Sequence, residues 1–126
     1  MAYANEQKEL SLVFSPERQT RRVRVPANLE LDRGEAVMIT TAGEGATLDE
    51  VGALTDDVTA LEGYLLHRID TTNGVACEAD VVYAADWVNS EAVTKPDAID
   101  MADLVKESRT KGLPLLDLQN EQGVTA

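Results

Sequence analysis

A chain of 126 residues has the length of one domain and room for one modest core. The aromatic fraction of 4% leaves that core to Val, Leu, Ile and Ala, and the single cysteine, Cys77, excludes an internal disulfide. The net charge of −12 is concentrated between residues 36 and 105, where fourteen acidic side chains face two basic ones; a body of this sign argues against nucleic acid and against an anionic membrane surface as partner.

No internal repeat or low-complexity stretch interrupts the chain, and nowhere do about eighteen apolar residues run together, as a membrane-spanning helix requires. The N-terminus also lacks an apolar run of signal-peptide length, so a protein made and kept in soluble form is expected. Residues 1–20 read as an N-terminal arm. In it Leu10, Leu12 and Phe14 alternate with polar neighbours before Ser15 and Pro16 break the pattern, the period-two signature of a short strand in need of a partner.

Residues 21–126 read as one β-rich domain. Arg22 to Val25 and Leu29 to Leu31 alternate, and a turn at Asp32-Arg33-Gly34 leads into a buried-looking run, Ala36 to Ile39. Thr40 to Glu50 is polar and contains Gly43 and Gly45, as in an exposed loop. Val51 to Asp57 shows no periodicity that assigns it. Gly63 to Ile69 and Asp80 to Ala84 carry strand patterns on either side of Asn73-Gly74, a dipeptide suited to a tight hairpin turn. Several short strands separated by turns predict a small barrel or sandwich, an α+β fold that is mainly β.

One helix closes the domain, at about residues 101–111. Asp100 is placed to cap it, Asp103 is an acid in its first turn, and Ile99 and Leu104 have the spacing of a hydrophobic staple. Met101, Leu104, Val105 and Ser108 share one face, while Lys106, Arg109 and Lys111 sit toward the negative end of the dipole. Gly112 is a C-terminal cap, with Pro114 beyond it.

Residues suited to catalysis are sparse. His67 is the only histidine and falls into a strand pattern with Leu65 and Ile69, half-buried or paired with an acid such as Asp70; no Gly-x-Ser-x-Gly elbow accompanies it. Cys77 lies among small residues and reads as a packing residue rather than a nucleophile. Asp49-Glu50 and Asp56-Asp57 read as solvated acidic surface, and no stretch matches a calcium loop, a zinc cluster or a P-loop. The expectation is a non-enzyme without cofactor or metal. The one basic cluster, Arg18, Arg21, Arg22 and Arg24, is a strand edge guarded by charge, a docking surface for an acidic protein, or, as the remaining alternative, a nucleic-acid contact. Trp87 is a core residue or an interface anchor.

Three segments then carry a resemblance. Val23 to Val37 is similar to a β-rich stretch with a polar "x-Leu-x-x-Gly-x-Val" turn; Gly63-Tyr64-Leu65-Leu66 through Ile69-Asp70-Thr71-Thr72 is similar to "Gly-Ile-Leu … Val-Asp-Ala-Thr"; Asp80-Val81-Val82-Tyr83 through Val88-Asn89-Ser90-Glu91-Ala92-Val93 is similar to a strand followed by "Val-Asn-x-x-x-Leu" and a short helix. In order and spacing, over about residues 20–115, the chain resembles the lambda-type head decoration (cement) proteins of tailed bacteriophages. The tail, Gln119 to Ala126, has no counterpart in that pattern.

The resemblance implies a small β-rich, tulip-like fold that binds the exterior of an expanded capsid and stabilises it by bridging major capsid proteins. It also implies self-association as a trimer on the capsid and an N-terminal arm that pairs with capsid-protein strands. The arm residues expected to bind are Leu10, Leu12, Phe14, Arg18, Arg21 and Arg22, with Trp87 as an anchor. Two other classes fit the composition: another virion component such as a neck or fibre protein, and a small ligand-binding protein or hydrolase built around His67.

Overall fold

The computed structural model describes residues 13–40 and 48–116. Its centre is a closed barrel of five strands in the order β1 (Arg18–Val25), β4 (Glu50–Ala53), β3 (Ala36–Thr40), β5 (Gly63–Leu65) and β7 (Cys77–Ala85). All neighbours are antiparallel except β1 and β4, which meet in parallel at Arg24 and Glu50. Two short ribbons flank the barrel: β2 (Glu30–Leu31) with β6 (Ile69–Asp70), and β8 (Val88–Asn89) with β9 (Leu115–Leu116). The α-helix α1 (Met101–Thr110) and a short 3₁₀ turn (Val58–Ala60) complete the described body. The small mainly-β barrel with one short helix is the architecture the strand pattern predicts.

The alternation of side chains divides the hydrophobic residues into two cores, because neighbouring residues of a strand face opposite sides of the sheet. Val23, Val25, Val37, Val51, Leu65 and Val81 come from all five barrel strands and fill its interior. Tyr64 and Val82, each one position away, point outward into a second core with Phe14, Leu61, Leu104 and Leu113. Among the described residues no aromatic side chain enters the barrel interior, which valine, leucine and alanine fill. The one tyrosine of the core packs between barrel and helix.

Close packing of strands sets the glycine positions. A Cβ on Gly63 would collide with the Val82 carbonyl across the β5–β7 pair, and Gly34, at φ +82°, adopts a turn conformation that other residues resist. Both ends of α1 follow from the sequence. Asp100 takes the extended backbone of an N-cap, although its side chain makes no capping hydrogen bond. At the other end Leu113 N–H donates to the Ser108 carbonyl (2.9 Å) and Gly112 N–H to the Arg109 carbonyl (3.1 Å), with Gly112 at φ +88°. This is a Schellman ending. The helix buries Leu104 and Ser108, while Met101, expected on the same face, is exposed at the first turn.

Several expectations are corrected. The turn at Asn73-Gly74 forms, with Gly74 N–H donating to the Thr71 carbonyl (3.0 Å), but it makes no hairpin: it joins β6 to β7, which are not paired. The reason is Thr71, 1% exposed, whose hydroxyl donates to the Pro26 carbonyl (2.6 Å) and accepts from Leu29 N–H (2.9 Å), drawing β6 onto β2. Cys77, expected to be packed, is exposed at the start of β7. His67 is exposed in the bend between β5 and β6, not on a core-facing strand.

Candidate functional site

The N-terminal approach to the barrel is anchored more tightly than an arm over residues 1–20 would suggest. Leu10 and Leu12 lie outside the described residues, but Phe14 is 1% exposed, and Arg18 already opens β1. Phe14 pairs across an antiparallel bridge with Val88 and belongs to the core between barrel and helix. Next to it Ser15, also buried, donates its hydroxyl hydrogen to the Glu17 carbonyl (2.8 Å) and accepts from the amides of Asp86 (2.9 Å) and Trp87 (3.3 Å). Ser15 N–H donates to the Trp87 carbonyl (3.0 Å). Phe14 therefore serves as a core residue and is not available to a partner.

On its other side β8 pairs in parallel with β9, at Val88 with Leu115 and Asn89 with Leu116. Phe14, β8 and β9 thus form a three-membered ribbon with β8 in the middle. Val13, just before the bridge, is helical, and the half-buried Trp87 immediately precedes β8. Among the described residues no strand pairs with the outer side of β9.

Three of the clustered arginines are paired with acids of the same chain. Arg21 pairs with Asp49, Arg22 with Asp80 (3.3 Å) and Glu78 (3.9 Å), and Arg24 with Glu50 (2.9 Å). They lie on β1, which β7 covers on one side and β4 meets on the other, so they do not guard a terminal edge. Exposed pairs of this kind contribute at most about 1 kcal/mol each. Arg18 differs: its guanidinium donates to the Ser15 carbonyl (3.3 Å) and meets no acid among the described residues.

The shifted titratable groups have structural causes. Hydrogen bonds from the Thr59 hydroxyl and amide hold Asp57 below the usual carboxylate range, and Thr72 does the same for Asp70. Each is an acid capping its own turn. Glu35 is pushed up by partial burial against a hydrogen bond from Asp32 N–H, and burial pushes the Tyr64 phenol to about 12. None of these groups converges with another on a common hollow. An open hollow of about 390 Å³ lies against β1, β3 and β7, with Ile39, Val81 and Tyr83 among its walls and Arg21 and Glu62 beside them. Among the described residues no group of three His, Cys, Asp or Glu side chains could hold a metal ion, and no helix is long and apolar enough to cross a membrane.

Sequence reasoning missed Ser15 and the β8–β9 ribbon. Ser15-Pro16 reads as a pattern break, and two-residue strands carry no period; the one available signal was Val88-Asn89, present in the resemblance without a partner assigned. No protein-family model matches the chain, and no curated protein matches it significantly.

Proposed function

We propose that this chain is a non-enzymatic structural protein that binds the exterior of an expanded tailed-phage capsid, stabilising it by bridging major capsid proteins and acting there as a trimer. The observation that carries the reading is the anchoring of the N-terminal approach: Phe14 and Ser15 hold the chain against β8, giving the alternating Leu10 and Leu12 a fixed point of departure. The resemblance of about residues 20–115 to decoration proteins supports the same conclusion.

An arm so held can add a strand to a partner's sheet, satisfying backbone groups on both edges without needing a pocket. Leu10 and Leu12 would each contribute up to about 1.5–3 kcal/mol on burial, against about 1–2 kcal/mol for ordering each backbone residue. The net gain per chain is modest, so affinity on a lattice rests on several copies acting together.

The test is removal of residues 1–11, which spares Val13 and Phe14 in the core, followed by binding to undecorated expanded capsids, with circular dichroism confirming the body. Binding should fall sharply. Unchanged affinity refutes strand donation, and electron microscopy that places the chain at a neck or fibre refutes the capsid-exterior role.

A further inference from the structure

The barrel has unlike ends. At one, Leu29, Leu31 and Ile69, in or beside the β2–β6 ribbon, pack against the interior valines. At the other, the inward-facing rows of three strands run out together: Val23 gives way to Arg21, Val37 to Ile39, and Val81 to Tyr83. Arg21, Ile39, Val81 and Tyr83, with Thr20 and Glu62, line the open hollow of about 390 Å³, which is therefore the mouth of the barrel. A bulge marks the place. Gln19 pairs with Ala84 and Thr20 with Val82, so Tyr83 is the extra residue between them, and it is left 41% exposed at the rim. The rim is short of positive charge: Arg21 is already paired with Asp49, while Glu62, exposed, meets no cation among the described residues.

We infer that the barrel mouth at Tyr83 is a socket for one large apolar side chain of the capsid protein, carried beside a lysine or arginine that meets Glu62. The inference rests on the capsid reading above and places a contact on the folded body, independent of the arm. Ile39, Val81 and Tyr83 supply apolar walls, and tyrosine is a side chain that anchors such contacts, with a broad apolar face and a polar tip that can stay wet. The open form of the hollow points to a side chain rather than a free small molecule. A ligand loose in such a site keeps much of its own surface in water, whereas a side chain on a partner arrives with that partner's surface as its cover. Charge selects the partner. Residues 36–105 carry fourteen acidic side chains against two basic ones, so a second copy of this chain would bring like charge to the mouth, and a basic capsid segment brings the opposite sign. A cation seated there also gains from the face of the Tyr83 ring.

The experiment compares the unaltered chain with Tyr83→Ala, Tyr83→Phe, Glu62→Lys and Val75→Ala in binding to undecorated expanded capsids. Circular dichroism and thermal melting monitor the body; if Tyr83→Ala disturbs the fold, Glu62→Lys carries the test. Tyr83→Ala should weaken binding at least about tenfold and Glu62→Lys about threefold to tenfold, while Tyr83→Phe stays within about twofold of the unaltered chain. Val75→Ala trims a more exposed apolar side chain outside the hollow and should leave binding unchanged. A photo-cross-linking residue in place of Tyr83 should label the capsid protein at an apolar residue next to a lysine or arginine. Unchanged affinity in both Tyr83→Ala and Glu62→Lys overturns the inference while leaving the capsid reading standing, as does cross-linking from position 83 to a second copy of this chain. If the unaltered chain does not bind capsids, the capsid reading itself fails and this inference with it.

Discussion

Tyr64 of β5 donates its hydroxyl hydrogen to Ser108 of α1 at 2.9 Å, and Ser108 in turn donates to the Leu113 carbonyl, so a single buried hydrogen-bond chain ties the barrel wall to the helix and to the turn that ends it. Removing the two members should have unequal costs. Tyr64→Phe deletes one donor and leaves Ser108 its carbonyl partner, costing about 0.5–1.5 kcal/mol; Ser108→Ala strands the Tyr64 hydroxyl in an apolar core, costing about 1–3 kcal/mol. Denaturant unfolding of the two variants and the double variant measures the coupling. Equal costs would show that the hydroxyl finds another partner.

The same phenol predicts an alkaline transition. Its pKa is pushed to about 12 in the folded protein by burial, while an unfolded tyrosine titrates near 10. Between those values the unfolded chain has released its proton and the folded one retains it, so stability falls as pH rises; below about pH 10 the contribution is complete. The loss is on the order of 2–3 kcal/mol across the window. Unfolding free energies from pH 9 to 12 should decline more steeply for the native protein than for Tyr64→Phe, and parallel curves would assign the decline to other groups.

Glycine positions separate tolerated from forbidden sites within one barrel. Gly63→Ala places a Cβ into the Val82 carbonyl of the adjoining strand and should cost more than about 2 kcal/mol or prevent folding. Gly52→Ala meets nothing within 4 Å and should change stability by less than about 0.5 kcal/mol. Thermal melts of the two variants provide the comparison.

Charge steering, if β1 supplies it, should come from Arg18. Arg21 and Arg22 are occupied by acids of the same chain, and Arg18 meets no acid among the described residues. Arg18→Gln should therefore flatten the salt dependence of capsid association more than Arg22→Gln does. Association rates measured at two or more salt concentrations decide between them.

The exposure of Cys77 predicts that a thiol reagent modifies one sulfur per chain in the native protein without denaturant. Cys77→Ser and His67→Ala should each leave capsid binding and stability intact, since both side chains lie at the surface. Loss of function without loss of binding in His67→Ala would reopen a chemical role.

What could be read from the sequence depended on how far each signal is local. The helix ends were legible because Asp100, Gly112 and Pro114 act within a turn of where they stand. The strand from Asp80 to Ala84 was legible because its alternation is its own. β4 was not: Glu50-Val51-Gly52-Ala53 has too few large side chains to show a period, and it is a strand because β3 and β1 lie on either side of it. The missing hairpin has the same cause, since the Thr71 hydroxyl binds residues more than forty positions earlier. Phe14 was read as part of a free arm because only the folded chain brings Val88 beside it. Leu10, Leu12 and Trp87 were visible as residue types, while the ribbon that follows Trp87 emerges only in three dimensions.

The parallel meeting of β1 and β4 closes the barrel through one residue pair, Arg24 with Glu50, reinforced by Arg24 N–H donating to the Asp49 carbonyl (2.9 Å) and by the ion pair between the two side chains. Every other junction of the ring has at least two paired positions, and β1 with β7 has eight. A ring breathes at its thinnest join. Amide protons of β4 should therefore exchange with solvent sooner than those of β7, and the barrel should open there as a sheet still held along β1 and β7 long before it unfolds as a whole.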